Sequence, residues 1–322
     1  MIPNSNVIKT LSDIKRGKIV GATDVAIASL EAIKTYAVSS VLEDPIEYAK
    51  KLHECCDLFT KELPLNVSVR TVIQYVCHKV DSVLDEKVDV EILKHVVMNS
   101  IASSKRSIRE SIDKISEVGA HLLIDEGDII MTHSCSTTVL STFVKAYQSG
   151  KQFKVIVTET RPEFHGRLLA IALADFGIPV TLIIDSAHRL FMCKKHSDCR
   201  MRANKVLLGA NAIGMNGDVV SKIGASPIAL SAHEYQVKVY IAASTHKFLP
   251  DPMWEDLTVI EGDPSLVLET SDAKRRGIEI KSPAYDVIPH KYVDLIITEM
   301  DVIPPEKAIS IIKEIYGGGR GI

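Results

Sequence analysis

The densest run of reactive side chains is Thr132-His133-Ser134-Cys135-Ser136-Thr137-Thr138, directly after the apolar run Asp128–Met131. If a helix starts there, its free N–H groups and the hydroxyls form an anion cradle. The same residues also suit plain N-capping by Ser or Thr, which needs no ligand. Arg161 follows a second apolar run, where it could fork onto a phosphate or a carboxylate, or be held by Glu159. Lys222 closes the small-residue stretch Gly209-Ala210-Asn211-Ala212, then Ser221-Lys222-Ile223-Gly224. Small residues let backbone approach a ligand closely, though glycines also make simple turns. Lys247, in Ser244-Thr245-His246-Lys247, would add another positive charge. Cys193-Lys-Lys-His-Ser-Asp-Cys199 offers three metal ligands, but not at a zinc-finger spacing. It reads as a polar loop, so no metal and no cofactor are expected.

These residues need elements to position them. Residues 128–131, 154–158, 179–184, 205–208, 238–243 and 294–298 are short runs rich in Val and Ile, apolar on both sides of a pleat. Such runs predict strands buried on both faces of a parallel sheet. Phe164–Phe176 between two of them reads as a helix closed by Gly177. The alternation predicts a doubly wound, Rossmann-like α/β domain, whose ligands bind beyond the carboxyl ends of the strands. Every residue above follows such a run. Upstream the period is helical. Ile27, Leu30, Ile33 and Ala37 share one face, and residues 87–100 and 105–118 repeat the pattern. The expected organisation is a helical N-terminal domain over 1–118 and an α/β ligand-binding and oligomerisation domain over 119–322.

The chain has 322 residues, 46% hydrophobic and 25% charged, with net charge −3. The near-neutral balance argues against direct nucleic-acid binding, which usually takes a strong basic excess. No uncharged apolar run approaches a membrane span, and the N-terminus lacks a signal-peptide core. A cytoplasmic protein with free thiols is the expectation. P-loop and G-x-S-x-G signatures are missing.

Several longer stretches resemble one superfamily: Thr132–Leu140, Glu159–Arg167, Gly177–Ala187, Asn216–Gly224 and Ser282–Glu299. It unites the alpha, beta and delta regulatory subunits of translation initiation factor 2B with ribose-1,5-bisphosphate isomerase and methylthioribose-1-phosphate isomerase. The resemblance implies a helical domain followed by a Rossmann-like domain. It implies ligand contacts from Gly21, Ala22, His133, Ser136, Thr137, Arg161, Ser221, Lys222 and Lys247. It also implies association into a homodimer or larger.

The isomerases share Thr-His-Cys-Asn and Gly-Ala-Asp motifs that supply the catalytic pair. Here Ser134 takes the cysteine position, Cys135 falls one residue later, and Asn211 replaces the aspartate. Serine is a far poorer acid than cysteine, and asparagine exchanges no proton near neutral pH. Val20 also stands where the isomerases carry arginine. The resulting expectation is a regulatory-subunit-like protein that binds a sugar phosphate or nucleotide without isomerase chemistry. Translation initiation factor 2 is its implied protein partner. The alternative is a ribose-1,5-bisphosphate isomerase.

Overall fold

The computed structural model describes residues 5–64, 66–85, 87–193, 201–250 and 260–317. The chain divides into two units, one holding the residues up to Ser111 with the stretch from Ile315, the other running Ile112–Glu314.

The first unit is helical: α1 (Ser5–Lys15), α2 (Ala22–Ser39), α3 (Pro45–Glu62), α4 (Val67–Asp81) and the first part of α5 (Val90–Leu122). Local chemistry sets the starts. Asp44 caps α3 by accepting from Glu47 N at 2.6 Å, with Pro45 in the first turn, where its missing N–H costs nothing. Asn66 caps α4 through Val69 N at 3.1 Å. The apolar face of α2 is packed as its spacing predicts, with Leu30, Ile33 and Ala37 all at 0% exposure. Residues 87–100 and 105–118, which read as two helical stretches, lie from Val90 onward on the single 33-residue α5. Among the described residues no helix is long and apolar enough to cross a membrane.

The second unit is the predicted α/β fold. Its strands are β1 (Ile129–His133), β2 (Lys154–Thr158), β3 (Val180–Ile183), β4 (Lys205–Gly209), β5 (Ala212–Ile213), β6 (Val219–Lys222), β7 (Lys238–Ala242), β8 (Tyr285–Ile288), β9 (Leu295–Ile297) and β10 (Val302–Ile303). The connecting helices include α6 (Thr137–Gln148), α7 (His165–Asp175) and α8 (Ala225–Glu234); α9 (Thr270–Arg276) and the greater part of α10 (Ala308–Gly317) follow. Among the described residues the main sheet has seven strands in the order β10-β9-β7-β4-β1-β2-β3. It is parallel except for β10, which pairs antiparallel with β9. Its core includes Val155, Val157, Phe143 and Leu173, each at 0% exposure.

Strand order locates the functional edge. From β1 the chain crosses through α6 to β2 on one side; from β4 it reaches β7 on the other. The order therefore reverses between β1 and β4, and their carboxyl ends part to leave a crevice there. A second sheet, β5-β6-β8, is antiparallel and begins just after β4.

Candidate functional site

The crevice collects the residues that the sequence singles out after β1 and β4. His133 ends β1 at 4% exposure. Its Nε2–H donates to the Ile223 carbonyl at 2.7 Å, which leaves Nδ1 to accept from the Thr158 hydroxyl at 2.5 Å. Burial pushes the imidazole down to about 4, so the ring is neutral at physiological pH. Both nitrogens are engaged by protein, which makes His133 a tie between β1, β2 and the end of β6.

Ser134 follows with φ of 63°. Its N–H donates to Thr160 Oγ1 at 2.9 Å. Cys135 is half-buried against the core of the unit. Ser136 caps α6, its Oγ accepting from Val139 N at 3.4 Å, and Thr137 opens the helix. β4 ends directly against this turn: a Cβ on Gly209 would meet Ser136 Oγ at 2.6 Å. The next two residues of β4's exit are buried Ala210 and half-buried Asn211. Asn211 N–H donates to Val220 O at 2.8 Å, which starts the β5–β6 hairpin. Ser221, buried on β6, donates to Gly209 O at 3.0 Å.

The cations sit at the neighbouring strand ends. Arg161, after β2, is exposed and lies 5.1 Å from the Phe164 ring. Glu159 holds Arg167 at 2.6 Å rather than Arg161. Lys222 forms an ion pair with Glu163 and lies 5.1 Å from the Tyr285 ring. Burial, with Glu163 nearby, pushes the Tyr285 phenol up to about 12. Lys247, after β7, is 3% exposed. Gly21 and Ala22 lie in the helical unit. Gly21, at φ 92°, precedes α2, and Ala22 O accepts from Asn66 Nδ2 at 3.1 Å.

The supporting carboxylates are not legible from the motifs alone. Asp185, after β3, accepts from Thr160 N and Arg161 N, both at 2.7 Å, and so shapes the loop that carries Arg161. Glu299, after β9, accepts from the Thr245 amide at 3.0 Å and hydroxyl at 2.5 Å, which fixes the turn carrying Lys247. Asp286 accepts from Gly224 N at 2.9 Å and Ser226 N at 3.1 Å. The rule that ligands gather at carboxyl strand ends, applied to β3 and β9 as well, points to Asp185 and Glu299.

Of the metal-reading segment, Cys193 is half-buried, while His196 and Cys199 lie outside the described residues. Among the described residues no group of His, Cys, Asp and Glu has a metal-binding arrangement.

The sequence profile of the Initiation factor 2 subunit family matches residues 18–305. The chain belongs to that family. Among its relatives, ribose 1,5-bisphosphate isomerase of Pyrococcus furiosus is 38% identical over 97% of this chain and 94% of its own length. The crystal structure of the Pyrococcus horikoshii translation initiation factor eIF-2B superposes with TM-score 0.80 at 30% identity, covering 95% of this chain and 99% of that one. The 5-methylthioribose 1-phosphate isomerase of Pyrococcus horikoshii shares the fold, with TM-score 0.76 at 22% identity over 96% of this chain and 87% of that one.

These relatives correct the functional expectation. Six curated relatives, 32–38% identical over 97% of this chain, are named ribose 1,5-bisphosphate isomerase. A regulatory-subunit-like protein without isomerase chemistry does not fit that company. The expectation rests on three positions, Val20, Ser134 and Asn211, set against a likeness that runs through nearly the whole chain.

Proposed function

We propose that this protein is an aldose–ketose isomerase that converts ribose 1,5-bisphosphate into ribulose 1,5-bisphosphate. The observation that carries the reading is the near-full-length likeness to six isomerases. The crevice between β1 and β4, flanked by Arg161, Lys222 and Lys247, supports it, because a bisphosphate needs cations on either side of the reacting carbons.

The conversion is an internal exchange. The C1–O4 ring bond breaks and O4 gains a proton. The hydrogen on C2 passes to C1, and O2 gives up its proton to become the ketone oxygen. The site must therefore lend one proton and accept another. Cys135 is the group we assign to that task. It directly precedes Ser136, the N-cap of α6, and supplies the thiol of the loop after β1. Ser134 anchors the loop through its backbone, and its hydroxyl holds its proton too tightly to exchange it near neutrality. Asn211 faces the exchange as a hydrogen-bonding partner, its amide orienting O2 without taking the proton. His133 and Asp185 act as positioning residues, setting the loops after β1 and β2. Arg161, Lys222 and Lys247 hold the phosphates.

The test is direct. Purified protein incubated with ribose 1,5-bisphosphate should form ribulose 1,5-bisphosphate, read by the new C2 carbonyl in carbon NMR, at about 1 s⁻¹ or faster. A chain that binds the bisphosphate and returns it unchanged would overturn the reading.

A further inference from the structure

The helical unit carries a cleft that the proposed reaction does not use. On α5, Met98, Ile101, Lys105 and Arg109 recur at steps of three and four and so share one face, with Arg106 beside Lys105 on the same wall. Glu31 and Lys34, one turn apart on α2, form the opposite wall of a hollow of about 200 Å³. Its floor is apolar: Ile101 is 1% exposed and Met98 is half-buried.

The rim is cationic. Lys105 is neutralised by its ion pair with Glu31. Lys34, Arg106 and Arg109 have no ion pair or side-chain hydrogen bond among the described residues. Glu110, exposed on the same helix, pairs with neither arginine. Three unmatched cations therefore ring an apolar-floored hollow in a chain whose net charge is −3. Like charges held this close repel one another, and an arriving anion relieves the repulsion. A monocarboxylate would answer one guanidinium. A phosphate dianion, with three acceptor oxygens, answers all three cations.

We propose that this cleft binds a phosphorylated small molecule. The phosphate sits among Lys34, Arg106 and Arg109, and the carbon part lies on Met98 and Ile101. The small hollow favours a compact ligand over a polypeptide chain.

Inorganic pyrophosphate is the calorimetric probe, used on the full chain at low ionic strength. The parent is expected to bind one equivalent here besides whatever the strand-end crevice takes. Lys34→Ala with Arg109→Ala should remove that equivalent, and Arg106→Ala should weaken it roughly tenfold or more. Arg106 and Arg109 are exposed on a helix, where alanine is well tolerated, and circular dichroism checks the fold. Turnover of ribose 1,5-bisphosphate should be the same in these variants. Loss of one equivalent supports the proposal even if the crevice proves to bind nothing. Unchanged stoichiometry and affinity in the double variant would overturn it. So would an oligoglutamate peptide that binds here when pyrophosphate does not, since the occupant would then be an acidic polypeptide. Crystals soaked in tungstate should show anomalous density within hydrogen-bond reach of Lys34, Arg106 and Arg109; density only at the crevice would count against the cleft.

Discussion

A Cβ added to Gly224 would stand 2.9 Å from His133 Cε1, so the turn after β6 lies flat against the imidazole that ends β1. Gly224 also adopts φ of +101°, a backbone conformation that L side chains rarely reach. Gly224→Ala thus combines strain with a clash against a buried ring. We expect it to destabilise the protein by about 2 kcal/mol or more. Chemical denaturation measures this, and an unchanged midpoint would show that the turn can move aside. Ribose 1,5-bisphosphate turnover should fall as well, because Lys222 lies two residues before the turn.

The buried titratable groups at this turn have opposed pH effects. His133 titrates at about 4 in the folded state because burial disfavours its cation. An unfolded histidine titrates near 6.5, so from there down to about 4 only the unfolded chain takes up the proton, and stability falls on acidification by roughly 3 kcal/mol in full. Asp286 is raised to about 6 by burial, partly opposed by the Gly224 and Ser226 amides. Below about 6 the folded chain keeps a proton that the unfolded carboxylate still releases, so this group adds stability as the pH drops toward about 4. Between about pH 7 and 6 this pair takes stability away and below that its two effects cancel, while the buried His165 and His246, both lowered by burial, take more away on acidification. Below about pH 6, Asp286→Asn should therefore lose stability more steeply than the parent, and His133→Gln less steeply. Identical pH slopes in all three would remove both groups from the account.

The parallel strands are legible because each is a short Val/Ile run: the predicted run for β2 matches it at both ends, and those for β1, β3, β4, β7 and β9 differ by at most two residues at either end. The antiparallel β5-β6-β8 sheet and β10 were not legible. Strands as short as Ala212–Ile213 and Val302–Ile303 carry no periodicity of their own and exist only through pairing. The long α5 read as two stretches because Ser103 and Ser104 interrupt the apolar stripe, yet Ser104 simply bonds back to Ser100 O at 2.9 Å and the helix continues. The site loops were legible from their place after strands. Their supports were not: Asp185 and Asp286 are 24 to 62 residues distant from the amides they hold. The regulatory-subunit expectation fails because Val20, Ser134 and Asn211 are three local departures in a chain that matches isomerases over 97% of its length.

If Cys135 exchanges the proton, Cys135→Ala should lower turnover by roughly 10²–10⁴-fold, the usual worth of one general acid–base group. Ser134→Ala should cost only a few-fold, since the Ser134 contact with Thr160 is made by its backbone N–H. The Ser134→Cys variant of a Cys135→Ala protein tests register: recovery would move the chemistry to position 134. Iodoacetamide should inactivate the parent, with ribose 1,5-bisphosphate protecting. Full activity in Cys135→Ala would sink the assignment.

The ion pair between Lys222 and Glu163 sets the last expectation. With Glu163 attached, the lysine's charge is largely neutralised before substrate arrives, and a phosphate must compete with the carboxylate. Lys222 is 8% exposed, so water screens the competition weakly. Removing the carboxylate charge by Glu163→Gln should free Lys222 and lower KM for ribose 1,5-bisphosphate. Lys222→Ala should raise KM roughly tenfold or more, the usual value of one charge-assisted hydrogen bond. The double variant separates the effects. If Glu163 acts only through Lys222, adding Glu163→Gln to Lys222→Ala should change KM no further. If instead Glu163→Gln raises KM in the parent, the carboxylate itself touches the sugar, and Glu163 belongs among the substrate-binding residues rather than with the supports.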